Sequence, residues 1–135
     1  MTQFRIGFLN IEYFGEGVGR FGGYGMTSKL IIEHFNANGS PLRFDMLMTR
    51  RAHRLSTKRV GSAEITLAPA PHVWQLGRVR QYARFLNRLN LDLLLALEYY
   101  PQYWPALRLL PKTPVLVWIH DPRPEESIER IATVP

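Results

Sequence analysis

The chain has 135 residues, a formal net charge of +6 and no cysteine. This length suits one ordinary domain with its own core, and the missing cysteines exclude a disulfide scaffold and a thiolate metal site. The positive charge favours partners that carry negative charge, such as phosphate-bearing ligands, anionic lipid headgroups or nucleic acid.

The amino-terminal sequence MTQFRIGFLN enters an apolar run directly and lacks the layout of a signal peptide. The sequence also has no stretch of about 18 apolar residues, so no transmembrane helix is expected. We therefore expect a cytoplasmic protein, either free or held peripherally at a membrane.

Five short apolar runs predict β-strands. They lie at residues 4–9, 42–48, 63–68, 91–97 and 114–120. Such runs are typical of strands covered on both faces, as in a parallel sheet between helices. The polar, basic segment 49–62 is predicted to be a loop. The sequence therefore predicts an α/β fold, namely a Rossmann-like, doubly wound parallel sheet of about five strands.

Helical patterns separate the strands. The first is predicted over residues 26–39, where Asn38-Gly39 is a stop signal. Its apolar face is expected to contain Thr27, Leu30, Ile31 and His34. A short helical segment is expected at 102–110. After the last strand, Pro124 and two glutamates indicate a further helix start.

The second helical pattern covers residues 73–90 and combines an apolar face with regularly spaced arginines. The apolar face is expected to contain Leu76, Val79, Ala83 and Leu86. Arg80, Arg84 and Arg88 recur every four residues. They are either solvated charges on a helix that packs against the sheet, or a contact with an anionic membrane surface. No nucleic-acid-binding motif is present, so nucleic acid is not expected as a partner.

The segment GEGVGRFGGYG, residues 15–25, has six glycines in eleven residues. Gly17, Gly19 and Gly22 fit G-x-G-x-x-G, but this dinucleotide fingerprint must lie directly between a strand and a helix. Here about fifteen residues separate the two predicted elements. The second strand ends near Arg50 rather than at the acidic residue that would bind the ribose of NAD. An arginine at that position would suit the 2′-phosphate of NADP, so an NADP-binding module remains an alternative.

The last four residues of that segment, Gly22, Gly23, Tyr24 and Gly25, directly precede the first helix. Glycines at a helix N-terminus let backbone N–H groups approach an anion closely, and the helix dipole favours negative charge there. The segment is therefore predicted to bind phosphate. The alternative is a flexible surface loop.

Three parts of the sequence resemble family 4 glycosyltransferases, which have the GT-B fold. The first is the initial strand with its long loop and GGYGMTSKLIIEHFNANG, the second is LDLLLALEYYPQ, and the third is VLVWIHDPRP. Each motif is loose, and their order and spacing carry more weight than any single one. The resemblance spans nearly the whole chain.

The resemblance implies that residues 1–135 form the N-terminal, acceptor-side domain of a two-domain enzyme, one half of a GT-B fold. A second domain, absent from this sequence, would grip the nucleotide-sugar. The implied activity is retaining, hexosyltransferase-type glycosyl transfer from a nucleotide-diphosphate sugar to an acceptor hydroxyl, on a saccharide or a lipid-linked acceptor. It implies no cofactor and no metal. The alternative is a stand-alone Rossmann-like module that binds a phosphate-bearing ligand.

Ligands of open α/β sheets bind outside the carboxyl ends of the strands. By resemblance, Gly22 and Gly23 would meet the donor diphosphate, and His120 would touch the donor sugar or stabilise charge near the anomeric centre. The simpler interpretation of His120 is a strand-end histidine bonded to a backbone carbonyl. Asp121 would either orient His120 or cap the helix that follows.

The acceptor side of the same edge is predicted to contain Glu98, Tyr99 and Glu12. Glu98 would accept a hydrogen bond from an acceptor hydroxyl, and Tyr99 would stack on a sugar ring. The alternative is a solvated loop with aromatic side chains beneath it. The histidines at 34, 53 and 72 have no partners at metal-ligand spacing, so no metal site is predicted.

Overall fold

The chain forms one mixed sheet with helices on both faces. A computed structural model describes residues 3–10, 23–50, 56–69, 76–97, 104–109 and 112–118. The strands are β1 (Phe4–Asn10), β2 (Leu42–Arg50), β3 (Ser56–Val60), β4 (Ala63–Pro69), β5 (Leu93–Leu97) and β6 (Val115–Trp118). The helices are α1 (Gly23–Ala37), α2 (Leu76–Arg88) and α3 (Trp104–Leu107).

The sheet has six strands in the order β3-β4-β2-β1-β5-β6. Each pair of neighbours is parallel except β3 and β4, which are antiparallel. The α/β class and all five predicted strands are therefore confirmed, but the strand count of five is wrong.

The additional strand, β3, lies in the segment predicted to be a loop. It pairs with β4 through a hairpin whose two turn residues are Gly61 and Ser62. Gly61 has φ 58°, and glycine adopts such a positive φ at little cost. Two-residue hairpin turns often place glycine at their first position for this reason. The polar sequence STKRV suits an edge strand, since such a strand can leave its side chains exposed to solvent.

The two faces of the sheet carry two separate cores. Alternate strand residues such as Phe8 and Met46 face α1, whereas Leu9 and Leu47 face α2 and α3. Burial on both sides explains why the central strands β1, β2 and β5 are nearly continuous apolar runs in the sequence, whereas β6, at the edge of the sheet, leaves Leu116 and Trp118 exposed. It also gives the helices the arrangement expected of a doubly wound sheet.

Helix α1 is rotated relative to the prediction, although Ile31 packs against the core as predicted. Its buried residues are Gly25, Ser28 and Ile32, whereas Leu30 is 61% exposed and His34 is also exposed. The prediction followed the helical spacing from Thr27 to His34 and gave no weight to the small residues of the helix. Small residues at 25 and 28 allow the helix backbone to lie close to the sheet, and this close packing determines the rotation of the helix.

Helix α2 packs largely as predicted. Val79, Ala83 and Leu86 are buried together with Tyr82, while Leu76 is exposed. The three regularly spaced arginines are exposed on the side away from the sheet. Helices α1 and α2 are each followed by a residue with positive φ, Gly39 at 63° and Asn90 at 49°.

A charged network crosses β1, β2 and β4 near their amino ends, on the α2 side. The carboxylate of Asp45 accepts hydrogen bonds from Arg5 Nη2 at 2.5 Å and from Arg43 Nε at 3.0 Å. Arg43 Nη2 also lies 3.5 Å from Glu64 Oε2. Asp45 is buried, so this pairing compensates for its removal from water.

In the part of the chain that the structure describes, no helix is long and apolar enough to cross a membrane.

Candidate functional site

Parallel pairing aligns the carboxyl ends of four strands at one edge of the sheet. Asn10 of β1 pairs with Met48 of β2, and Leu97 of β5 pairs with Trp118 of β6. Strands β1 and β5 are direct neighbours. We call this edge, together with the first turn of α1, the carboxyl rim. It is the edge at which the sequence predicts the ligand site.

Two buried polar side chains fix α1 at the carboxyl rim. Asn10 Nδ2 donates to Ser28 Oγ at 3.1 Å, and Ser28 Oγ donates to the Tyr24 carbonyl at 2.7 Å. Asn10 and Ser28 are both fully buried. These bonds hold the amino end of α1 against the carboxyl end of β1, because Asn10 is the last residue of that strand.

The opposite end of α1 is fixed by Asn36. Its Nδ2 donates to the Phe44 carbonyl at 2.9 Å and to the Ser62 carbonyl at 3.2 Å, while its Oδ1 accepts from Phe44 N at 3.0 Å. Pairing between β2 and β4 starts only at Met46. On the β4 side of Phe44, the Asn36 side chain therefore takes the place of a strand partner. With both of its ends fixed in this way, α1 runs antiparallel to β1 and has its amino end at the carboxyl rim.

The first turn of α1 contains three of the predicted phosphate-binding residues. The helix begins at Gly23, three residues before the predicted start at residue 26, so Gly23, Tyr24 and Gly25 all lie within it. Their backbone N–H groups are among the first four of the helix, which have no partner within the helix. No acidic residue occupies this turn, so no carboxylate within the turn itself offsets the partial positive charge of the helix end.

The side chains in this turn differ in what surrounds them. A Cβ added to Gly23 would meet no atom of the described residues within 4 Å, so packing within that part of the chain does not require glycine there. The ring of Tyr24 is half-buried against the core on the α1 side, and Gly25 is buried. What this turn presents at the rim is therefore backbone rather than side chain.

The other predicted site residues lie outside the described residues. They are Glu12, Gly22, Glu98, Tyr99, His120 and Asp121. Glu98 directly follows β5, His120 comes two residues after β6, and Glu12 comes two residues after β1. These three strands are neighbours and parallel, so the strand ends that precede these residues lie together at the carboxyl rim.

A polar groove of about 410 Å³ lies at the opposite end of the strands, where β1, β2 and β4 begin. It is lined by Gln3, Asn36, Leu42, Arg43, Arg59, Ser62 and Glu64. Arg43 in this groove already pairs with Asp45 and Glu64, and the amide of Asn36 is occupied by its three hydrogen bonds. The groove is therefore a weaker ligand-site candidate than the rim.

Titratable side chains do not form a metal centre in the described ranges, where no group of three histidine, cysteine, aspartate or glutamate residues is placed to hold an ion. His34 is exposed near the end of α1, with its Nδ1 3.4 Å from Asn38 Nδ2.

Sequence reasoning missed Asn10, Ser28 and Asn36. Asn10 had a recognisable signal, because it is a polar residue at the end of an apolar run and shortly before the glycine-rich segment of the sequence. Ser28 and Asn36 had none, since their partners are distant in sequence and are brought close only by the fold.

No protein-family model matches the chain, and no curated protein matches its sequence.

Proposed function

We propose that the chain is the acceptor-side domain of a glycosyltransferase that uses a nucleotide-diphosphate sugar, with a Rossmann-like sheet as one half of a GT-B fold. The observation that carries the proposal is the amino end of α1 at the carboxyl rim, where Gly23 offers its amide without an obstructing side chain. The sequence resemblance supplies the reaction class.

In this proposal the first turn of α1 stabilises the leaving group. Negative charge builds on the donor diphosphate as the glycosidic bond breaks, so fixed N–H donors aimed at it act most strongly in the transition state. The bonds from Asn10 to Ser28 and from Ser28 to Tyr24 hold these donors in place. A pre-positioned donor needs no reorganisation during the reaction.

The remaining roles belong to residues that follow neighbouring strands. His120 contacts the donor sugar or stabilises charge near the anomeric centre, and Asp121 orients it. Glu98 and Tyr99, with Glu12, bind the acceptor, which is a saccharide or a lipid-linked sugar. The donor is gripped mainly by a second domain outside residues 1–135, and no metal or cofactor takes part.

A second candidate is a stand-alone module that binds a phosphate-bearing ligand, including NADP. The first turn of α1 favours this candidate as well, because a helix end that binds a diphosphate also binds a phosphate group in a protein that transfers no sugar. Strand β2 ends at Arg50 beside β1, at the same edge. An arginine at that strand end suits a 2′-phosphate.

Gly23→Ala in the full-length gene product tests the transferase proposal. The new methyl group enters open space in the described structure, and alanine favours a helix over glycine by about 1 kcal/mol, so folding should be unharmed. Transfer should nevertheless fall by about 10²-fold in kcat/KM, since the methyl group keeps the diphosphate from the amides. His120→Ala should lower transfer as well.

The matched control is Gly77→Ala. Gly77 also lies in the first turn of a helix, α2, and a Cβ there would likewise meet no described atom within 4 Å. Equal activity of Gly23→Ala and Gly77→Ala would refute the role of the α1 turn. Undiminished transfer by His120→Ala would remove the catalytic role of that histidine.

Calorimetry on residues 1–135 separates the two candidates. A transferase half should bind nucleotide-sugar feebly and transfer nothing, because half of the cleft is missing. Micromolar binding of a nucleotide-sugar, or of NADP, by this chain alone would favour the stand-alone module.

A further inference from the structure

Helix α2 carries an unusual concentration of positive charge. Arg78, Arg80, Arg84 and Arg88 are all exposed, and residues 76–91 contain no aspartate or glutamate. The next acidic residue, Asp92, accepts a hydrogen bond from the backbone of Arg5 instead. Four cations thus lie on one helix without a carboxylate on it.

These arginines are not part of the ion pairs that hold the fold together. Arg5 and Arg43 pair with Asp45, whereas none of the α2 arginines forms an ion pair within the described part of the chain. The buried face of α2 points the other way, into the core beneath α2 and α3. We call Arg80, Arg84 and Arg88 the arginine stripe, which runs about 12 Å along the helix.

Two exposed leucines lie near the ends of the arginine stripe. Leu76, at the start of α2, is 65% exposed, and Leu109, just after α3, is 47% exposed. The Leu109 carbonyl accepts from Asn87 Nδ2 at 3.5 Å, so it lies beside the far end of α2. Leu76 and Asn87 share one flank of the helix, being eleven residues or about three turns apart.

We propose that this face of the protein docks onto a membrane surface rich in anionic lipid. Arginines bind the phosphate groups of the lipid headgroups, and the leucines enter the boundary between headgroups and acyl chains. The leucines favour a membrane over nucleic acid, because single-stranded nucleic acid is usually held by exposed aromatic rings and Phe85 on this helix is half-buried in the core. The inference is independent of sugar transfer.

Cosedimentation of the chain with lipid vesicles tests the proposal. The chain should bind vesicles of phosphatidylcholine mixed with phosphatidylglycerol, bind pure phosphatidylcholine vesicles far more weakly, and dissociate as salt is added. The double variant Arg84→Gln/Arg88→Gln should lose about 30-fold in affinity, since each arginine near an anionic surface contributes about fivefold. Leu76→Ser should lose about fivefold.

The matched control is Lys58→Gln/Arg59→Gln. It removes the same charge from β3, an exposed strand at the edge of the sheet remote from β5 and β6. An equal loss in this control would show that net charge alone drives binding and would overturn the assignment to α2. So would equal binding to both kinds of vesicle, no binding at all, or tighter binding to a single-stranded RNA homopolymer at the same salt. Circular dichroism establishes that each variant is folded.

Discussion

Asp45→Asn should lower the free energy of unfolding by about 2 kcal/mol. The Asp45 side chain is 7% exposed and accepts bonds from Arg5 Nη2 at 2.5 Å, Arg5 Nε at 3.2 Å and Arg43 Nε at 3.0 Å. A hydrogen bond to a charged group contributes about 1.5–3 kcal/mol. Both arginine side chains are more than a third exposed, which weakens the electrostatic part, and asparagine keeps one acceptor oxygen.

The expected fall in melting temperature follows from the size of the chain. An unfolding entropy of about 2.1 cal/mol/K per residue gives about 0.28 kcal/mol/K for 135 residues, so Tm should fall by about 7 °C. Differential scanning calorimetry and urea unfolding with an unchanged m-value would measure it.

Glu33→Gln is the control, because it makes the same carboxylate-to-amide change in a partly exposed pair, in which Lys29 Nζ lies 3.9 Å from Glu33 Oε1. That change should cost no more than about 0.5 kcal/mol. If the two variants melted at the same temperature, burial of the Asp45 carboxylate would not explain the stability of this network.

The same thermal and urea assays check three further substitutions. Gly7→Ala should cost about 1–3 kcal/mol, since its Cβ would overlap Leu91 Cδ1 in a closed core; an unchanged Tm would mean that this leucine moves freely. Asn36→Ala should cost about 2 kcal/mol, because it leaves the β2 backbone without its side-chain partner, and a loss below about 0.5 kcal/mol would contradict that role. Leu30→Gln should change stability by less than about 0.5 kcal/mol, whereas a loss of several kcal/mol would restore the helix face predicted from the sequence.

Hydrophobic pattern predicted five of the strands and most of the buried face of α2. All five apolar runs are strands, and Val79, Ala83 and Leu86 on α2 are buried. The pattern predicted the wrong rotation for α1 because its contact face contains Gly25 and Ser28, small residues that a hydrophobic pattern does not single out. It missed β3 because an edge strand needs no apolar face.

The sequence predicted at which end of the strands the candidate site lies, but not the side-chain contacts that form it. The alternation of strands and helices and the stop at Asn38-Gly39 are local sequence signals, and in a doubly wound sheet they predict that the first turn of α1 lies near the carboxyl end of β1. The hydrogen bond between Asn10 and Ser28, which helps to fix that turn, joins residues that are eighteen positions apart in the sequence. No local pattern encodes such a pairing, since it depends on how closely the helix approaches the strand.

The edge strand β3 has a consequence for how the protein behaves at high concentration. Four of its five residues are exposed, and Lys58 and Arg59 stand next to each other along it. An unprotected parallel sheet would offer the backbone of β4 to a second molecule, which is a route to fibrous aggregates. By covering β4 with a short, positively charged strand, the chain makes two copies repel one another at the place where their sheets would otherwise join.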